Sequence, residues 1–360
     1  MDPSQPARAK EPEAANEAKT GKLSKKILLW VGYATAIISL IAGARQLSKV
    51  VLDRIDTDKK VNALLADEAV ELGGKDYQSA WHSVEQASAV DSKSAKVKAA
   101  QEALAVEWLD NVRSTRGENV SDIARKLEPV LTRGIATSQV SSYRAHLLAH
   151  LGWCYALEAE FGTSGPDPAP FYAQAIKEDE HNPYAQAMWG HWILSTGGSL
   201  SDATAHFNSA LVSSRARDFV RDLQLSALLN RQDAFDEEVI RVANQVRKDN
   251  GTIAEGVRRS IWGIYYFRVY HTTPATKKFI EAVPPGEHLS TFLWLFPDMK
   301  LNESDQIFRM YYQGVLQEAA GNPDEALKSY LSVVSQGRPQ QGGIFAEAAQ
   351  GLKRVTPRKP

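Results

Sequence analysis

His146 and His150 stand four residues apart, a spacing that puts two imidazoles on one helix face and could supply two ligands to a metal ion. Neither an H-E-x-x-H motif nor a neighbouring carboxylate set completes such a site, so the pair reads as two histidines on a helix face. Cys154 lies between Trp153 and Tyr155 in an apolar stretch. A nucleophilic thiolate needs a base and an electropositive setting that this stretch does not supply, and the reading is a buried, inert thiol. Gly21-Lys22 and Gly74-Lys75 lack the upstream glycine of a phosphate loop, and no G-x-S-x-G nucleophile turn occurs. The acidic run Glu178, Asp179, Glu180 with His181 and the basic face of Lys93, Lys96 and Lys98 read as solvated surface. These readings predict no catalytic residue, cofactor or metal, and hence no enzyme.

Composition supports that narrowing. A single cysteine leaves no disulfide framework and no multi-cysteine zinc or iron–sulfur site. With 42 Lys plus Arg against 43 Asp plus Glu, no global basic footprint for nucleic acid exists. Apolar residues at 43% are enough to bury a core along most of the chain.

The chain divides along its length. Residues 1–26 contain Pro3, Pro6 and Pro12, many charges and only Leu23 as a large aliphatic, which predicts a disordered, charged tail. Residues 27–44 carry no charge and at 1.5 Å rise per residue would span roughly 27 Å, enough for one membrane crossing. Trp30 and Tyr33 near one edge, Lys22, Lys25 and Lys26 before it and Arg45 and Lys49 after it suit the two headgroup regions. A cleaved signal peptide ending at Ala42-Gly43-Ala44 and a buried core helix are the rival readings. The lysine cluster before the segment favours a single-pass anchor in an inner or plasma membrane, with the C-terminal domain outside the cytoplasm. Residues 45–60 then read as a helical stalk, its apolar stripe interrupted by Asp56, Asp58, Lys59 and Lys60.

Beyond the stalk a spacing recurs. From Tyr311 to Gln336 a small Gly314 precedes the turn Gly321-Asn322-Pro323, after which Ala326, Tyr330 and Val333 follow at helical intervals. Gly190, the turn Gly197-Gly198, and Ala203, Phe207 and Ala210 repeat the pattern, with the triplet at the same spacing as Ala326, Tyr330 and Val333. Gly152 and Tyr155 give a first-helix copy with Tyr172 and Ala175 in its second helix, and Ala80, Val84 and Ala87 another second-helix triplet. A small residue where a ring must approach is what two closely packed helices require. These units resemble the tetratricopeptide (TPR) repeat, with weaker copies around residues 95–131 and 216–248. The resemblance implies an all-α, TPR-like solenoid of helical hairpins over residues 61–340, and residues 341–360 read as a capping helix and tail.

Such proteins mostly hold protein partners, taking a peptide or helix into the groove. Some of them clamp a C-terminal carboxylate with Lys and Asn at fixed first-helix positions. Trp189 and Gln313 stand near two expected Asn positions, so no clamp residues carry over. Residues 261–297, rich in Tyr, Phe and Trp, are either a thick inter-helix core or an aromatic-lined groove, which sequence alone does not separate. The expectation is a membrane-anchored, non-catalytic adaptor or scaffold, with a regulatory or sensory subunit of a membrane enzyme or transporter as the alternative.

Overall fold

A computed structural model describes residues 14–114, 119–162, 165–213, 216–297, 302–337 and 342–357; within these ranges the side chains of 14–39, 41, 44, 47, 114, 232 and 233 are not described. Two compact units are formed, Met1–Leu104 and Ala105–Pro360. The first holds α1 (Ala14–Gly73), α2 (Tyr77–Val90) and the start of α3 (Ala95–Asn111). The second continues through α4 (Val120–Thr137), α5 (Ser141–Glu160), α6 (Ala169–Glu178), α7 (Pro183–Ser195), α8 (Leu200–Val212), α9 (Arg217–Leu229) and α10 (Asp236–Lys248). It ends with α11 (Glu255–Phe267), α12 (Pro274–Ile280), α13 (Pro285–Leu295), α14 (Glu303–Ala319), α15 (Pro323–Val334) and α16 (Gly343–Val355). Among the described residues the fold is all-α.

Local chemistry sets these boundaries. Side chains of Asp76, Asn182, Ser199, Thr273 and Asn302 accept hydrogen bonds from the third backbone N–H beyond them, at 3.1, 3.0, 3.1, 3.2 and 2.8 Å. That satisfies one of the donors a helix start leaves free. Pro183, Pro274, Pro285 and Pro323 open their helices, where a missing N–H costs nothing.

The helix ends are equally uniform. Lys75, Gly197, Asn250 and Gly321 take left-handed backbone with φ of 58, 87, 54 and 78°. In each case the following N–H reaches the carbonyl five residues back: Asp76 to Glu71, Gly198 to Ile193, Gly251 to Val246 and Asn322 to Gln317. This turn satisfies the last free carbonyls and reverses the chain tightly. Glycine adopts it without steric cost at 197 and 321.

In the first unit α1 packs along α2, with Val61, Ala87 and Val97 in its core and Leu64 and Leu65 against them. In the second unit each helix packs mainly on helices close to it in sequence, as α4 on α5, α5 on α6 and α7, α7 on α8 and α9, and α14 on α15. Contacts confined to near neighbours are the mark of a repeat array.

Residues 1–13 of the expected tail lie outside the described residues. One helix, α1, runs from Ala14 through the remainder of that tail, residues 27–44 and the expected stalk to Gly73. The expected membrane crossing and the localisation drawn from it are corrected: among the described residues no helix is long and apolar enough to cross a membrane. The described part of α1 carries Asp53, Arg54, Asp56, Asp58, Lys59 and Lys60, charges that hydrocarbon does not accommodate. The side chains of most of residues 27–44 lie outside the described set.

Candidate functional site

The repeated small residues and rings lie at the hairpin contacts. A Cβ placed on Gly152 would stand 2.7 Å from Tyr172 Cε1, one on Gly190 3.0 Å from the Ala203 carbonyl oxygen, and one on Gly314 2.9 Å from Tyr330 Cε1. The absent methyl therefore forms the notch into which the ring of the neighbouring helix fits. Ala80, Ala87, Ala203, Phe207, Ala210, Ala326 and Tyr330 are buried. Tyr155 is also buried, its ring tilted against Phe171 with centroids 5.0 Å apart, and its hydroxyl donates to Glu128 Oε1 at 2.8 Å. These residues hold helices together and are shielded from any partner.

A different set faces outward. His146 on α5, Tyr184 on α7 and Phe219 on α9 form a row of half-buried rings crossing three packed helices, with centroids 4.7 Å and 5.2 Å apart. Tyr143, one turn before His146, is exposed. Beneath the row, His150 packs at 4.5 Å from His146 and 5.0 Å from Tyr184. Its Nδ1 donates to the His146 carbonyl at 2.8 Å, and its Nε2 lies 3.0 Å from Asp110 Oδ1. Burial, the Asp110 charge and a hydrogen bond to Asp110 push the Tyr184 hydroxyl up to about 12, so it stays protonated. Burial and the neighbouring His150 lower His146 to about 3, which keeps it neutral.

Further along the same helices Trp153 meets His191 edge-on at 5.0 Å, and the Arg113 guanidinium lies 5.2 Å from the Trp153 ring centroid. Arg113 is held by Glu160 at 2.5 Å. Trp153 and His191 are themselves buried, so of this group only Arg113 and Glu160 reach the surface.

Among the described residues, the polar groups on this face are committed to one another. His150 has both ring nitrogens committed, so His146 and His150 do not present two ligands to a metal. No group of three or more His, Cys, Asp or Glu is placed to hold an ion among the described residues. His191 Nε2 accepts from Arg113 at 3.3 Å, which leaves Nδ1–H to donate to Ser195 Oγ at 3.2 Å. In that tautomer the imidazole does not take a proton from the serine. Burial, with Glu128 and Glu158 nearby, holds the Cys154 thiol well above its ordinary value and thus protonated.

The aromatic stretch 261–297 is mostly core. Tyr265 meets Phe279, Phe292, Phe296 and Tyr312 edge-on at 5.1 to 5.7 Å, and all five rings are buried. Tyr265 donates its hydroxyl proton to His288 Nε2 at 2.8 Å, and His288 Nδ1 donates to the Ile280 carbonyl at 2.9 Å. Tyr266, Phe267 and Tyr270 at its edge are exposed.

Tyr184 and Phe219 drew no attention in the sequence. The signal was present as one ring early in successive first helices, near the repeat period of roughly 34 residues. No protein-family model matches the chain, and no curated protein matches it. Among solved structures, it is similar to a crystal structure of a tetratricopeptide repeat protein from Parabacteroides merdae ATCC 43184, with a TM-score of 0.39 and 11% identity. The alignment covers 82% of this chain and 99% of that one. A superposition that loose assigns neither fold family nor function.

Proposed function

We propose that the chain is a non-catalytic adaptor with a TPR-like array, holding a protein partner along the face that α5, α7 and α9 present. Ala80, Ala87, Gly152, Tyr155, Gly190, Ala203, Phe207, Ala210, Gly314, Ala326 and Tyr330 serve the array as packing residues, and the partner touches none of them. The reading rests on the row His146, Tyr184 and Phe219, three half-buried rings on three consecutively packed helices. Aromatic groups supply large contact area at low entropic cost and lead among residues that dominate binding energy. A peptide or helix laid across them would meet Asp110, Arg113 and Glu160 as polar rim groups.

The test is a Tyr184→Ala, Phe219→Ala double variant, with partner recovery by crosslinking in the source cells. Loss of two hot-spot rings is expected to cut recovery by tenfold or more, from about 2 kcal/mol or more of lost binding, with the helical signal unchanged. Full recovery by a folded double variant refutes the assignment of this face.

A further inference from the structure

The C-terminal helix α16 is secured by one polar cluster. Its Ala348 is buried, and a Cβ on its Gly351 would stand 2.6 Å from Tyr330 Cζ. Tyr330 thus lies between Gly314 of α14 and Gly351 of α16, and α16 covers the ring's second face. From the last turn of α16, Arg354 reaches α14: its Nε donates to Glu318 Oε1 at 2.7 Å and its Nη2 to Glu318 Oε2 at 3.1 Å. Tyr330 donates to the same carboxylate at 2.7 Å. The remaining contact is with His271, in the segment between α11 and α12, whose Nε2 lies 2.6 Å from Arg354 Nη2.

A guanidinium only donates, so His271 Nε2 must accept, and its Nδ1–H points to the Tyr311 hydroxyl at 3.3 Å. The contact exists only with a neutral imidazole. A second ring proton would set N–H against N–H and place two cations side by side.

We propose that α16 is a cover over the α14–α15 hairpin that protonation of His271 releases, uncovering the face of Tyr330. The groups around His271 agree in direction. Burial and then the Arg354 cation hold it below its ordinary 6.5, with Glu318 opposing. Burial raises Glu318, but hydrogen bonds from Arg354 and Tyr330 outweigh it and leave the carboxyl below its ordinary value, so it stays charged as the histidine titrates. Burial comes first in pushing up both Tyr311 and Tyr330, which therefore remain neutral. Glu347 of α16 faces Tyr311 and adds a negative charge to the cluster. A histidine whose value is lower in the docked state is docked tightly at neutral pH. Docking weakens as pH falls below the value of the free imidazole.

The experiment is hydrogen exchange of the full chain at about pH 7.5 and about pH 5, with each helix's protection corrected for the intrinsic rate. The expected result is a loss of about tenfold or more in α16 protection relative to α14 at the lower pH. His271→Gln, whose amide oxygen still accepts from Arg354 but does not titrate, should keep α16 protected at both. An NMR titration of the wild-type imidazole supplies an arm that needs no variant, because α16 protection must fall between the free imidazole value of 6.5 and the midpoint found in the docked chain. The proposal is overturned if α16 and α14 lose protection together, if α16 is unchanged, if its protection falls outside that pH interval, or if His271→Gln opens as wild type does.

Discussion

The hairpin α14–α15 and the segment α11–α13 solve the same packing problem in different ways. In the hairpin one ring, Tyr330, enters notches left by Gly314 and Gly351, and the fit depends on methyl groups that are absent. In α11–α13 rings pack on rings, Tyr265 with Phe279, Phe292 and Phe296, and nothing lies within 4 Å of a Cβ built on Gly263. A notch contact is intolerant of small additions, whereas a ring cluster shares its fit among many side chains. Sensitivity to a single methyl therefore distinguishes the two kinds of contact, although both bury large aromatics.

The strongest way to break the comparison is Tyr330→Ala, which empties a site enclosed on both sides and should cost about 3 to 5 kcal/mol in chemical unfolding. A loss under about 1 kcal/mol would mean the notch collapses around the gap. Acid should act on the ring cluster as well as on the α16 contact at the hairpin. Burial lowers His288 to about 4 from 6.5, so the unfolded chain takes the proton first. The stability that the neutral, buried imidazole contributes is full above 6.5 and is lost as pH falls from about 6.5 to about 4, to a total of about 3 kcal/mol. His288→Gln should flatten that part of the pH–stability curve, and an unchanged slope would contradict the assignment. Gly314→Ala presses a methyl against a ring held from both sides, for an expected cost of about 1 to 3 kcal/mol. Gly263→Ala, in the middle of α11 with open space around it, should instead stabilise by about 0.5 to 1 kcal/mol through helix propensity. If the two alanine variants shift the unfolding midpoint alike, the distinction between notch and cluster fails.

The same contrast explains which features the sequence disclosed. Gly190 with Phe207 and Gly314 with Tyr330 are visible because each pair lies within one hairpin and its ring belongs to a second-helix triplet of one spacing, Ala203, Phe207, Ala210 and Ala326, Tyr330, Val333. The turns at Gly197 and Gly321 are visible because glycine marks left-handed backbone, whereas Lys75 and Asn250 adopt the same turn without that marker. His150 with Asp110, and His146 with Tyr184 and Phe219, join residues far apart in the chain, and no local periodicity encodes which first helices become neighbours. The stretch 261–297 stayed ambiguous for a related reason: aromatic content measures available area, and only packing decides that Tyr265 is buried while Phe267 is exposed. The membrane assignment rested on the charge-free run at 27–44, and the described residues of α1 supply no span to support it.

The central claim is that partners are held on the face crossed by α5, α7 and α9 and not on the second-helix layer. The most direct measurement places a photo-crosslinking residue at Tyr184 in one variant and at Val212, an exposed position at the end of α8, in another. The account predicts a discrete protein adduct from position 184, competed away by the unlabelled chain, and none from position 212. Adducts from position 212 with none from 184 would contradict it.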